Sequence, residues 1–115
     1  MKMSKVFIPQ EPLRKTDSGA MVPLYDLSPA LEYGALEVLL PSGPVMLSTK
    51  PMVDFMKTKM DGFSDDDYVL AVGDPVAILA AGMVASHANN GRVKILRYDR
   101  QHRAYTVVPI NIFNN

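Results

Sequence analysis

The chain has 115 residues, 48% of them hydrophobic, with 12 basic and 12 acidic side chains and a formal net charge of zero. That is long enough for one hydrophobic core and too apolar for a disordered chain, and it argues against a general polyanion binder. The absence of Cys removes disulfides, thiol nucleophiles and thiolate metal sites together, which fits a reducing cytosol.

No apolar run reaches the roughly 18 residues that span a bilayer, and the first residues lack a signal-peptide apolar region. Membrane insertion and export are therefore not expected. Residues 1–23 read as an extended arm, and 24–115 as a single domain. Val6-Phe7-Ile8 suggests a short edge strand stopped by Pro9, and Thr16-Asp17-Ser18-Gly19 an exposed turn. Ser28 suits an N-cap, Pro29 a first helical position, and Gly34 the end of that turn. Ala35 to Leu40 has strand composition, and Pro41-Ser42-Gly43-Pro44 excludes regular structure. Ser48 or Thr49 should open a helix with an apolar stripe of Met52, Val53, Phe55, Met56 and Met60. Gly62 should end it, with Phe63 folded back.

The stretch from Asp65 to Ile112 organises the rest. Tyr68 to Val72 is a short buried strand by composition, and Gly73 breaks it. Asp74 is placed to cap a helix and Pro75 to occupy its first position, where a missing N–H costs nothing. The helix should run to Ala88, with Asn89, Asn90 and Gly91 supplying the left-handed residue that ends it. Val93 to Tyr98 and Tyr105 to Ile110 then form a hairpin around Asp99–Arg103. The order strand, helix, strand, helix, strand, strand predicts an α/β or α+β layered domain with a mixed sheet, in which Tyr68–Val72 and Val93–Tyr98 are parallel neighbours.

The helix from Pro75 carries almost no polar side chain, so it should be buried nearly all round. Either the N-terminal arm covers it, or another protein or a second copy does.

The search for chemistry is mostly negative. Gly73-Asp74-Pro75 lies where open α/β sheets place ligands, but Asp74 already fills the cap and its charge would repel phosphate. A structural loop is the better reading. Asp65, Asp66 and Asp67 cannot all point one way and suit a solvated turn better than a metal site. His87 and His102 have no catalytic neighbours in sequence, and Ser42 is not in a nucleophile elbow. No catalytic residue, metal or cofactor is implied. Arg92, Lys94, Arg97, Arg100 and Arg103 concentrate in the final hairpin, beside Tyr98 and Tyr105. Such a mixture resembles a single-strand binding surface, but a charged sheet edge that discourages aggregation is the preferred reading.

Three segments carry a resemblance: Val22 to Gly34 with its Tyr-Asp-Leu-Ser-Pro turn, Asp66 to Pro75 ending in Gly-Asp-Pro, and Asn89 to Asp99 with Asn-Gly-Arg-Val-Lys. In that order the chain resembles a family of small proteins encoded by tailed bacteriophages. The resemblance implies phage origin and action in the cytoplasm of an infected bacterium. It implies no activity. The expected function is that of a non-enzymatic accessory protein that binds a host or phage protein, with the five basic hairpin residues at the contact. The alternatives are nucleic-acid binding through that hairpin, and a minor virion or assembly component.

Overall fold

The computed structural model describes residues 3–43, 45 and 49–113. Ser48 and Pro44 lie outside them.

Among the described residues the main sheet has five strands, in the order β4-β1-β5-β6-β7. These are β4 (Ala35–Leu40), β1 (Lys5–Gln10), β5 (Tyr68–Leu70), β6 (Arg92–Asp99) and β7 (Ala104–Asn111). The first four are mutually parallel, and β7 returns antiparallel to β6. Two helices, α1 (Lys50–Lys59) and α2 (Pro75–Ala88), cross between strands. A separate hairpin pairs β2 (Leu13–Lys15) with β3 (Met21–Pro23) around the turn at Thr16–Gly19. The domain is thus a layered α/β fold with a mixed sheet, and β5 and β6 are the parallel neighbours that α2 joins.

Strand alternation divides the core in two. Phe7, Val69 and Val93 point to the face that α1 and α2 cover through Met56, Met60, Ala81 and Ala85. Val6, Ile8, Leu70 and Leu96 point to the other face, which Leu27 and Ala30 of a short 3-10 turn (Ser28–Glu32) cover. This layering is what right-handed crossovers require. The α1 and α2 connections step one way along the sheet, and the β1-to-β4 connection steps the other way.

Several expectations need correction. Lys5–Gln10 is an interior strand, not an edge, so the segment read as an arm supplies the middle of the sheet. Pro9 misleads because a proline normally argues against a central strand. Here it falls just past Phe7↔Val69, the last pairing with β5, so no ladder bond on that side is lost. Ser28 is not a cap. It is the first residue of the 3-10 turn, whose N-cap position is Leu27, and its N–H donates to Asp26 Oδ1 at 3.0 Å. Asp67 is not solvated. It is 1% exposed and accepts the Lys5 and Ser64 N–H groups at 3.0 and 2.9 Å, tying β1 to the turn before β5. Phe55 leaves the α1 stripe and lies exposed, with Lys59 Nζ 5.8 Å from its ring centre.

Candidate functional site

The site follows from unequal strand lengths. β5 ends at Leu70, where it faces Leu96, but β6 continues to Asp99. The last bond between them is Ala71 N–H to the Leu96 carbonyl at 3.0 Å. Beyond it the chain turns away through Gly73 into α2. The inner flank of β6 at Arg97 and Tyr98 is left without a strand beside it. A cleft of about 600 Å³ opens there, closed on its far side by Tyr25, Asp26 and Leu27. It lies at the carboxyl ends of the parallel strands, next to the point where the connections from β1 and β5 leave in opposite directions.

Gln10 fixes this end of the sheet. Its buried amide nitrogen donates to the carbonyls of Pro41, at 2.9 Å, and Gly43, and its oxygen accepts the Asp74 N–H at 2.9 Å. One side chain therefore ties together the loops after β1, β4 and β5. Gly73 makes the approach possible. Its φ of +115° favours glycine, and a Cβ there would lie 2.7 Å from the Gln10 carbonyl oxygen. Asp74 caps α2, its Oδ1 accepting the Val76 N–H at 2.8 Å, and Pro75 occupies the first turn. At the other end of α2, Gly91 takes φ +83° and donates to the Ser86 carbonyl at 2.8 Å.

The cleft brings together parts of the chain that are far apart in sequence. Tyr25 and Asp26 come from the first of the three segments quoted above, Leu70 to Val72 from the second, and Arg97 and Tyr98 from the third. The Tyr98 ring meets Tyr105 edge-on at 5.4 Å. Burial, then the neighbouring Tyr98 and Asp26, push the Tyr105 phenol above its ordinary pKa. The hydrogen bonds from Ser28 hold the Asp26 carboxyl below the usual carboxylate range, so it is ionised at neutral pH.

The five basic hairpin residues do not form one surface. Arg92 Nε is held by Asp65 at 3.1 Å, and Lys94 Nζ sits 4.3 Å from the Tyr68 ring centre. Arg97 lies opposite Thr106 on the helix-covered face, whereas Tyr98 lies opposite Tyr105 on the other. Arg100 is in the hairpin turn, and Arg103 takes a left-handed φ of +51° beside it. His102 Nδ1 meets Asp99 Oδ2 at 2.6 Å, a contact that holds the Asp99 carboxyl below its ordinary range. His87 is exposed in the last turn of α2. A polymer laid across this hairpin would meet its arginines and tyrosines on opposite sides. We expect fluorescence anisotropy with single-stranded and duplex oligonucleotides at physiological salt to show no sub-micromolar binding. Sub-micromolar affinity that falls steeply with salt would contradict this.

The second notable surface is the outer side of α2. The expectation of burial all round is overturned. Ala77, Ala81, Val84 and Ala85 face the sheet, but Val76, Leu79 and Met83 are 48%, 68% and 73% exposed. Their spacing puts them on one stripe. The β2–β3 hairpin does not cover it. A helix this uniformly apolar has no polar positions to show which side faces water.

No helix among the described residues is long and apolar enough to cross a membrane, and no group of three His, Cys, Asp or Glu among them is placed to hold a metal ion. Comparison with curated proteins and with solved structures finds no match to either. A family model does match, over residues 4–112, nearly the whole chain and all three segments of the resemblance: the chain belongs to the Phage Pam3 gp32-like protein family.

Proposed function

We propose that this phage protein is a small non-enzymatic accessory that acts by binding another protein, of host or phage, in the cytoplasm of the infected bacterium. The observation that carries the reading is the exposed stripe of Val76, Leu79 and Met83 on α2. Leaving such side chains in water forgoes roughly 1.5–3 kcal/mol for each that a partner would bury. The stripe contains no charge between Pro75 and Ser86, so its burial strands no ion. The basic residues Arg92, Lys94, Arg97, Arg100 and Arg103, which form no single surface, enter this reading only through their charge, which steers approach more than it holds the complex.

The test pairs capture with stability. Tagged wild-type protein and a Leu79→Lys, Met83→Lys variant are expressed in infected cells, and captured proteins are reconstituted from purified components. Both positions are exposed, so stability should change by no more than about 0.5 kcal/mol per site. The wild type should form a defined complex, and the variant should lose it at least tenfold, about 1.4 kcal/mol. A complex that both proteins form equally well places the contact elsewhere. A wild type that sediments as a dimer, with a monomeric variant, makes a second copy the partner.

A further inference from the structure

The cleft beyond the end of β5 is not used by a contact through α2, and its chemistry points to a small ligand. We propose that it binds a nucleoside monophosphate, with the base against the rings of Tyr25 and Tyr98 and the phosphate held by Arg97 and Arg100.

The argument begins with what the cleft leaves exposed. Tyr25 and Tyr98 are 51% and 47% exposed in a recess whose floor is otherwise apolar, made by Leu27 and Leu70. The edge-on contact with Tyr105 holds Tyr98 in place, so its free surface is a prepared stacking platform. Stacking on aromatic side chains is the usual way a protein holds a nucleobase outside a duplex.

The charges fit the other half of the ligand. Arg97 and Arg100 are exposed and make no ion pair among the described residues. The carboxylate nearest in sequence, Asp99, is already engaged by His102 and by the Gln101 and His102 N–H groups. Arg97 still feels the Asp99 charge, but neither guanidinium is closed into an ion pair, and such forks suit a phosphate. Asp26 supplies the opposite character. It is an acceptor-only carboxylate, matched to ribose hydroxyls or a base amino group. A site with acceptor, aromatic and cationic groups in one recess fits a nucleotide better than it fits an inorganic anion. The volume, about 600 Å³, lies within the range of small-molecule sites.

Arg97 and Tyr98 lie on opposite faces of β6, yet both residues border the recess. This is possible because the strand beside them has ended, which opens the cleft to both faces. That geometry admits one nucleotide at the sheet's end. It does not offer a track along the hairpin for a strand.

The experiment is amide NMR of the full chain, titrated with AMP, GMP, CMP and TMP, then with the matching nucleosides and with inorganic phosphate. We expect at least one nucleotide to saturate with a Kd below about 1 mM, with shifts centred on Ala71, Val72 and Tyr98. Its nucleoside and free phosphate should each bind at least about tenfold more weakly, since each supplies half of the contacts. An Arg97→Ala, Arg100→Ala double variant should lose at least about tenfold. Arg103→Ala, outside the cleft, should stay within about twofold of wild type. Both arginines are exposed, so the double variant should keep its remaining amide spectrum, and that spectrum certifies its fold. The proposal is overturned if no nucleotide saturates, if phosphate alone binds as well as the nucleotide, if the double variant binds normally, or if the shifts map elsewhere. It is also overturned if a single-stranded oligonucleotide binds more than about a hundredfold tighter than the mononucleotide, because the surface is then a strand-binding one.

Discussion

Ala81→Asp should strip the domain of a large part of its stability at room temperature. Ala81 is fully buried on the sheet-facing side of α2, in the cluster with Phe7, Met56 and Val69. An aspartate there places a carboxylate among apolar side chains that offer it no partner. An isolated buried charge is among the costliest changes a core can suffer, and even the protonated acid brings an unsatisfied polar group and excess volume. A loss above about 4 kcal/mol is expected, a large part of the 5–15 kcal/mol that holds a domain of this size. Leu79→Asp, two residues earlier and exposed, carries nearly the same helix-propensity penalty without the burial. It should cost about 1 kcal/mol or less. Chemical denaturation of both variants makes the comparison. Equal midpoints would show that α2 does not pack with Ala81 inward.

Gly73→Ala should be a severely damaging single-methyl change, at about 3 kcal/mol or more. The backbone there has φ +115°, and the new Cβ would meet both the carbonyl oxygen and the Cβ of Gln10 at 2.7 Å. Relief requires moving Gln10, whose side chain joins Pro41, Gly43 and Asp74. Gly62→Ala isolates the backbone part of the effect. Gly62 also has a positive φ, +79°, but nothing lies within 4 Å of its added Cβ. It should cost only about 1 kcal/mol. Denaturant midpoints with unchanged m-values would report both. If the two variants lose the same amount, the close approach of Gly73 to Gln10 carries no energetic weight.

What was legible in the sequence is what local punctuation controls. Asp74-Pro75 and the Asn-Asn-Gly run bound α2, and Pro41 follows directly on β4. The turn after Asp99 is set by a side chain that accepts two N–H groups within three residues. What was not legible depends on residues far away. Pro9 is tolerated inside the sheet because β5, some sixty residues on, has already turned off. The exposed side of α2 is invisible to periodicity because Leu79 and Ala81 are both apolar. The cleft was missed because no motif encodes it. Tyr25 and Tyr98 meet across it only because β6 outruns β5 by three residues.

The central place of β1 sets a timetable for the growing chain. Val6 pairs with Tyr68 and Lys5 bonds to Asp67, so the strand made early cannot be enclosed until residues 62 positions later have emerged. At about 5–20 residues per second that wait is roughly 3–12 s on the ribosome. During it, Val6-Phe7-Ile8 has at best one neighbour, β4, and one open flank. Contacts of this sequence separation slow folding, and a nascent β-prone segment is open to wrong partners. Pro9, which looks out of place in the finished sheet, then acts as a guard: it interrupts the row of N–H donors beside the most apolar part of the strand.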